Sequence, residues 1–258
     1  GVNTDLWRVT LDGDVENLLP VGEGGATLAV SGAGQVLLGQ SGALRRARAD
    51  GSASATVLNF PQVNTASEWL YYPEPQWTQG GSQAFVAIPG PEPFAAETSA
   101  TLWLVLPEGP AVQLGTLPGS VLFQPVRWSP DGRRLAYVRA GGGEAALVLG
   151  NGDGRETAVY DNAADLATFA WSPNSARFLY AGPGFYAIGQ PGEAPLRVQI
   201  PAELRVTDMV WLNDERFLTA LGSPTSGAWS LYSTDLAGNA APLHSVAGRE
   251  LVWDVWAP

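Results

Sequence analysis

The 258-residue chain contains no cysteine, no lysine, one histidine and one methionine. Without cysteine there is no disulfide, no thiol nucleophile and no thiolate metal ligand, and composition carries no mark of a redox compartment. A Ser-His-Asp triad has one candidate base, His244, and nothing around Ala241-Pro242-Leu243-His244 points to an activated serine. Zinc needs three or four converging His, Cys or carboxylate ligands, and no segment is spaced for them. All 14 basic residues are arginine, against 25 acidic ones, for a net charge of −11. A nucleic-acid groove needs clustered positive charge. The one local cluster, Arg45-Arg46-Arg48, reads as outward positions of a strand. An acidic surface is also repelled by anionic lipid. No apolar run approaches the roughly 20 residues of a membrane-spanning helix. There is no G-x-S-x-G elbow, and no stretch pairs a helical period with caps.

What is present is repetition. The stretch Trp128-Ser129-Pro130-Asp131-Gly132-Arg133-Arg134-Leu135-Ala136-Tyr137-Val138 returns as Trp171-Ser172-Pro173-Asn174-Ser175-Ala176-Arg177-Phe178-Leu179-Tyr180. Weaker copies start at Trp77, Trp211 and Val30, and the last anchor is Trp256. The anchors are spaced 40 to 51 residues apart, the period of a repeat architecture. Each unit reads as four short strands: an apolar run ending at the anchor, a turn such as Pro130-Asp131-Gly132, a second and a third run, then a Gly-containing turn into a fourth. With 31 Gly and 20 Pro the composition suits a turn-rich all-β domain. Four strands at this period predict a β-propeller, because radial packing covers sheet faces that one unit cannot bury alone. The anchor tryptophans are expected to fill the spaces between blades.

The expected fold is therefore all-β, one six-bladed β-propeller domain over residues 1–258. Blade 1 is placed at about 26–60, blade 2 at 68–115, blade 3 at 121–160, blade 4 at 166–200 and blade 5 at 206–246. The closing blade combines 250–258 with 4–19, so the N- and C-termini share one sheet, and its second strand has no evident donor. A chain that opens on Gly1 rather than Met reads as trimmed at its start, and its sequence does not show whether a leader or lipid anchor preceded it.

The Trp128–Val138 and Trp171–Tyr180 stretches resemble the TolB-like propeller repeat, which also occurs in the propellers of prolyl oligopeptidase-type peptidases. The resemblance covers nearly the whole chain as a blade pattern, and it is weakest at Val30, where the tryptophan is lost. It implies a binding or scaffolding role outside the bacterial cytoplasm, with a protein or peptide partner. Transfer of function from fold is analogy. The accessory α/β domain of TolB and the hydrolase domain of the peptidases have no counterpart here.

The repeat also supplies a register for candidate site residues. Six positions before each anchor stand Gly24, Tyr71, Leu122, Asp165, Arg205 and Glu250. These are expected to ring one mouth of the channel, with Asp208 and Glu68 nearby. Asp165, Arg205 and Glu250 would form a carboxylate–guanidinium–carboxylate arc able to grip a polar ligand or a peptide terminus. The blander alternative is a solvated mouth with internal ion pairs. The connection from Pro89 to Ala100 is expected to be the longest loop, to project from the same face, and to offer Phe94 with Glu92 and Glu97 to a partner. The oxygen-rich runs Asp12–Asn17 and Asn151–Glu156 fall short of the roughly 12 residues of a calcium loop and read as turns. No metal or cofactor is expected. The reading is a non-catalytic interaction or ligand-binding module. The alternatives are a carbohydrate-active hydrolase using Asp165, Glu250 or Asp208, and a gating or scaffold domain of a larger protein.

Overall fold

The computed structural model describes residues 5–9, 12–20, 25–119, 121–122, 124–141, 144–223 and 227–247. Strands β1 (Asp5–Val9) and β2 (Val15–Pro20) form an antiparallel hairpin. Five four-stranded antiparallel meanders follow. Blade 1 is β3 (Thr27–Val30), β4 (Gln35–Gln40), β5 (Ala43–Arg48) and β6 (Ala55–Asn59). Blade 2 is β7 (Gln76–Trp77), β8 (Ala84–Pro89), β9 (Ser99–Val105) and β10 (Val112–Pro118). Blade 3 is β11 (Arg127–Trp128), β12 (Arg134–Gly141), β13 (Glu144–Asn151) and β14 (Glu156–Ala163). Blade 4 is β15 (Ala167–Trp171), β16 (Phe178–Gly182), β17 (Phe185–Gly189) and β18 (Leu196–Gln199). Blade 5 is β19 (Arg205–Trp211), β20 (Arg216–Ser223), β21 (Ala228–Asp235) and β22 (Ala240–Ala247). The expected closing strand at 250–258, with Glu250 and Trp256, lies outside the described residues.

The core is a series of apolar layers between blades. Val86 and Ile88 of blade 2 pack on Leu37 and Leu44 of blade 1. Leu135, Tyr137 and Trp128 of blade 3 pack on Leu102 and Leu117 of blade 2. Phe178, Tyr180 and Trp171 pack back on Leu147 and Leu149, and Trp211 and Phe217 on Leu179 and Tyr186. Fully burying one such side chain is worth about 1.5–3 kcal/mol, so each interface stabilises two sheets at once.

Hydrogen bonds index the blades. The indole Nε1 of Trp77 donates to the Ala29 carbonyl at 3.0 Å, that of Trp171 to Arg127 at 2.9 Å, and that of Trp211 to Ala170 at 3.2 Å. In each case the acceptor is the residue just before the anchor of the preceding blade. Trp128 departs from the rule. It stacks on Phe85 with centroids 5.4 Å apart, and its Nε1 donates at 3.1 Å to Gly152 of its own blade. The seam between blades 2 and 3 is closed instead by Gln76, whose amide donates to the Val126 carbonyl and accepts from the Trp128 backbone N–H at 3.1 Å.

The turns after the anchors form a second set of links. Ser129 Oγ donates to Asp131 Oδ1 at 2.6 Å and accepts from Arg134 N at 3.0 Å, while Gly132 takes φ +71°. In blade 4, Ser175 holds the equivalent left-handed position at φ +62°, and its Oγ accepts the Asp131 N–H of blade 3 at 3.1 Å. Asn174 N in turn donates to Asp214 Oδ1 of blade 5 at 2.8 Å.

Three expectations need correction. The inner strands of blades 2 and 3 have only two residues each, so Tyr71 and Leu122 lie on connections rather than at strand starts. Pro73, Pro75 and Pro125 precede those strands, and a residue without N–H cannot extend a ladder. The longest connection is consequently 60–75, between β6 and β7, and not the loop after Pro89. Arg45 and Arg46 are half-buried rather than jointly outward. Arg46 donates to the Leu106 carbonyl at 2.6 Å and Arg45 to Ser54 Oγ at 2.6 Å, which uses both as structural links.

Candidate functional site

The 60–75 connection is organised around Asn64. Its backbone N–H donates to the Pro91 carbonyl at 2.8 Å and its Nδ2 to Glu92 Oε2 at 3.1 Å, tying this segment to the loop that carries Phe94. Its Oδ1 accepts from Ala66 N at 2.9 Å and holds Ala66 at φ +53°, a left-handed conformation that non-glycine residues rarely adopt. Thr65 Oγ1 donates to the Trp69 carbonyl at 2.5 Å and Ser67 Oγ accepts from Trp69 N at 3.2 Å. The backbone is thus fixed while the Trp69 side chain is left outside, at 81% exposure. Phe94 is 54% exposed and Leu70 40%.

Beside these residues is a cavity of about 560 Å³ reaching from Thr27 of blade 1 to Val126 and Trp128 of blade 3. Trp69, Tyr71, Tyr72 and Glu74 are among the residues that line it. Tyr71 donates its hydroxyl to the Ala87 carbonyl at 3.1 Å, and burial, then the nearby Glu74 charge, push its phenol well above the usual tyrosine range. Glu74 Oε2 lies 3.6 Å from Arg127 Nη1. Burial pulls the Arg127 guanidinium below its ordinary value, against the charges of Glu74 and Asp208. The carboxylates of Glu74, on the 60–75 connection, and of Asp208, on β19, both act on this one arginine of β11. Its Nε is buried and has no hydrogen-bond partner among the described residues.

A second cavity, of about 400 Å³, lies between blades 4 and 5. Asp165 and Arg205 both line it, with Ala167, the Gly182–Gly184 turn, Leu204 and Val206. The six-residue register therefore brings these two together. Tyr71 lines the first cavity, and Glu68 is exposed on the same connection but off the cavity wall. Asp208 accepts from Met209 N at 2.8 Å and faces the Arg127 charge. Phe94 lies on neither cavity, and Glu250 lies outside the described residues. His244 is exposed on β22 opposite Leu231. Among the described residues no three His, Cys, Asp or Glu side chains converge as a metal site, and no helix is long and apolar enough to cross a membrane.

Sequence reasoning missed Trp69, Tyr72, Glu74, Gln76 and Arg127. The available signal was the run Trp69-Leu70-Tyr71-Tyr72 ahead of Pro73 and Pro75, an aromatic segment barred from a ladder and so presented on a connection.

The chain matches no family model and no curated protein. Among solved structures it is similar to an oligogalacturonate lyase in complex with manganese, with TM-score 0.63 and 15% identity over 98% of this chain and 73% of that one. The periplasmic gluconolactonase PpgL of Pseudomonas aeruginosa gives 0.57 and 15% identity over 94% and 77%. A putative TolB from Agrobacterium tumefaciens gives 0.55 and 12% over 91% and 86%. At such identities the likeness shows the fold alone: the chain is an all-β propeller, and TolB stands among the propellers it is similar to.

Proposed function

We propose that this propeller is a non-catalytic binding module of the TolB-like kind, working outside the bacterial cytoplasm, whose partner docks on the face formed by the 60–75 and 90–98 segments. The observation that carries this reading is Trp69, held by its backbone and exposed over a preformed aromatic cavity. Exposed aromatic anchors beside a pocket are the usual energetic centres of protein interfaces, and the Asn64 bonds add Phe94 to the same rigid unit. The hairpin β1–β2 fits the outer pair of a sixth blade. Location outside the cytoplasm draws support from TolB and the periplasmic lactonase among the similar structures.

The hydrolase alternative has less support. The charged group accompanying Asp165 on its cavity is an arginine, and Asp208 faces Arg127.

The test is photocross-linking in the source cells from three positions: 69, 94 and the exposed outer-strand residue Val159. One protein captured from 69 and 94 but not 159 is the expected result. Adducts from 159 alone would refute the assignment of this face.

A further inference from the structure

The cleft between blades 4 and 5 holds two opposite charges that no other described residue neutralises. Asp165 stands just before β15 and Arg205 opens β19, so they come from the two flanks of the cleft. Both are exposed to it, and neither makes a side-chain hydrogen bond or ion pair among the described residues. Asp165 also sits at φ +51°, a left-handed conformation that Asp and Asn adopt more readily than other non-glycine residues.

The remaining wall is small and largely apolar. A Cβ at Gly182 would lie 2.6 Å from the Phe185 ring, so that position must stay bare. Leu204 N donates to the Pro201 carbonyl at 3.0 Å and Ile200 N to the Gly184 carbonyl at 2.9 Å, which fixes the connection that forms the far wall. The cavity, about 400 Å³, falls near the lower end of the roughly 300–1,000 Å³ typical of small-molecule pockets.

Charge selects the ligand. An anion drawn to Arg205 is opposed by Asp165, and a cation drawn to Asp165 is opposed by Arg205. A molecule bearing both charges meets both residues favourably. Its body would lie against Ala167, Pro183, Leu204 and Val206. We propose that this cleft binds a small zwitterion, an α-amino acid with an aliphatic side chain, carboxylate toward Arg205 and ammonium toward Asp165. The site is on different blades from the aromatic cavity and is independent of the partner-docking face.

The experiment is calorimetric titration of the whole chain with L-leucine, 4-methylpentanoate and 3-methylbutylamine, which share one aliphatic body and differ in charge. Leucine should bind at least tenfold more tightly than either analogue. Asp165→Asn keeps a residue type that tolerates the left-handed conformation, and Arg205→Gln keeps the stem. Each should weaken leucine at least tenfold while melting within a few degrees of the parent. Trp69→Ala should leave leucine affinity unchanged even where it removes partner capture. No leucine binding by the folded parent, equal binding of the analogues, unaltered affinity in both charge variants, or loss of leucine binding in Trp69→Ala would each overturn the proposal.

Discussion

The indole N–H of Trp171 reaches across a blade boundary to the Arg127 carbonyl, 2.9 Å away. The same tryptophan whose ring fills the interface therefore also fixes the height of one inner strand against the next. Trp77 and Trp211 repeat the bond, so the repeat encodes packing and register in one residue.

Trp171→Phe keeps most of the ring volume and removes the donor. An acceptor left unsatisfied in a buried site costs about 1–3 kcal/mol. We expect a loss in that range by urea denaturation, with the fold retained.

Gln76 replaces that tryptophan bond between blades 2 and 3. In Gln76→Ala the Trp128 backbone N–H loses its acceptor, so its hydrogen exchange should accelerate while the corresponding amide of Trp171 stays protected. Equal acceleration at both would mean that the seams open together.

Gly152 sits where a Cβ would come within 2.1 Å of the Gly132 carbonyl oxygen. Gly152→Ala must therefore displace the Pro130–Gly132 turn or its neighbour. Forcing extra volume into a packed site typically costs about 1–3 kcal/mol. Gly32→Ala, with open space around its Cβ position and no left-handed φ, should not destabilise and should shift stability by no more than about 1 kcal/mol in the same denaturation series.

Asp161 of blade 3 accepts from Tyr180 Oη at 2.6 Å and from Arg197 Nη2 at 2.6 Å, both in blade 4. Burial alone would raise its carboxyl, but these two hydrogen bonds, together with the Asn162 N–H and the Arg197 charge, outweigh it and hold the group below its ordinary value of 3.8. A carboxyl depressed on folding stabilises the native state above its unfolded value and loses that contribution as pH falls through the folded one. Stability should thus decline below about pH 4, and Asp161→Asn should both lower stability at pH 7 and flatten that decline. Arg197 is 41% exposed, so the neutral-pH loss should be modest, about 1 kcal/mol.

The blade plan could be read from the sequence because the Trp anchors and Pro-Asp-Gly turns each determine a local structure independent of the rest. Asp165 and Arg205 line one cleft because the inner strands of blades 4 and 5 run five and seven residues, as the register assumes. The register failed at Tyr71 and Leu122, where prolines cut the inner strand to two residues. Trp69 was hidden for the same reason: a residue on an irregular connection has no repeat position, and its display depends on Asn64, Thr65 and Ser67 bonds that no periodicity announces. Gln76 reads as an ordinary strand residue until the neighbouring blade is seen beside it.

The most direct measurement is the affinity of the captured partner for Trp69→Ala, Phe94→Ala and Val159→Ser. Removing an interface anchor typically costs about 2 kcal/mol or more, roughly a thirtyfold loss. Losses of that size at 69 and smaller ones at 94, with Val159→Ser within twofold of the parent, are predicted. Undiminished affinity in Trp69→Ala with a large loss at 159 would contradict the account.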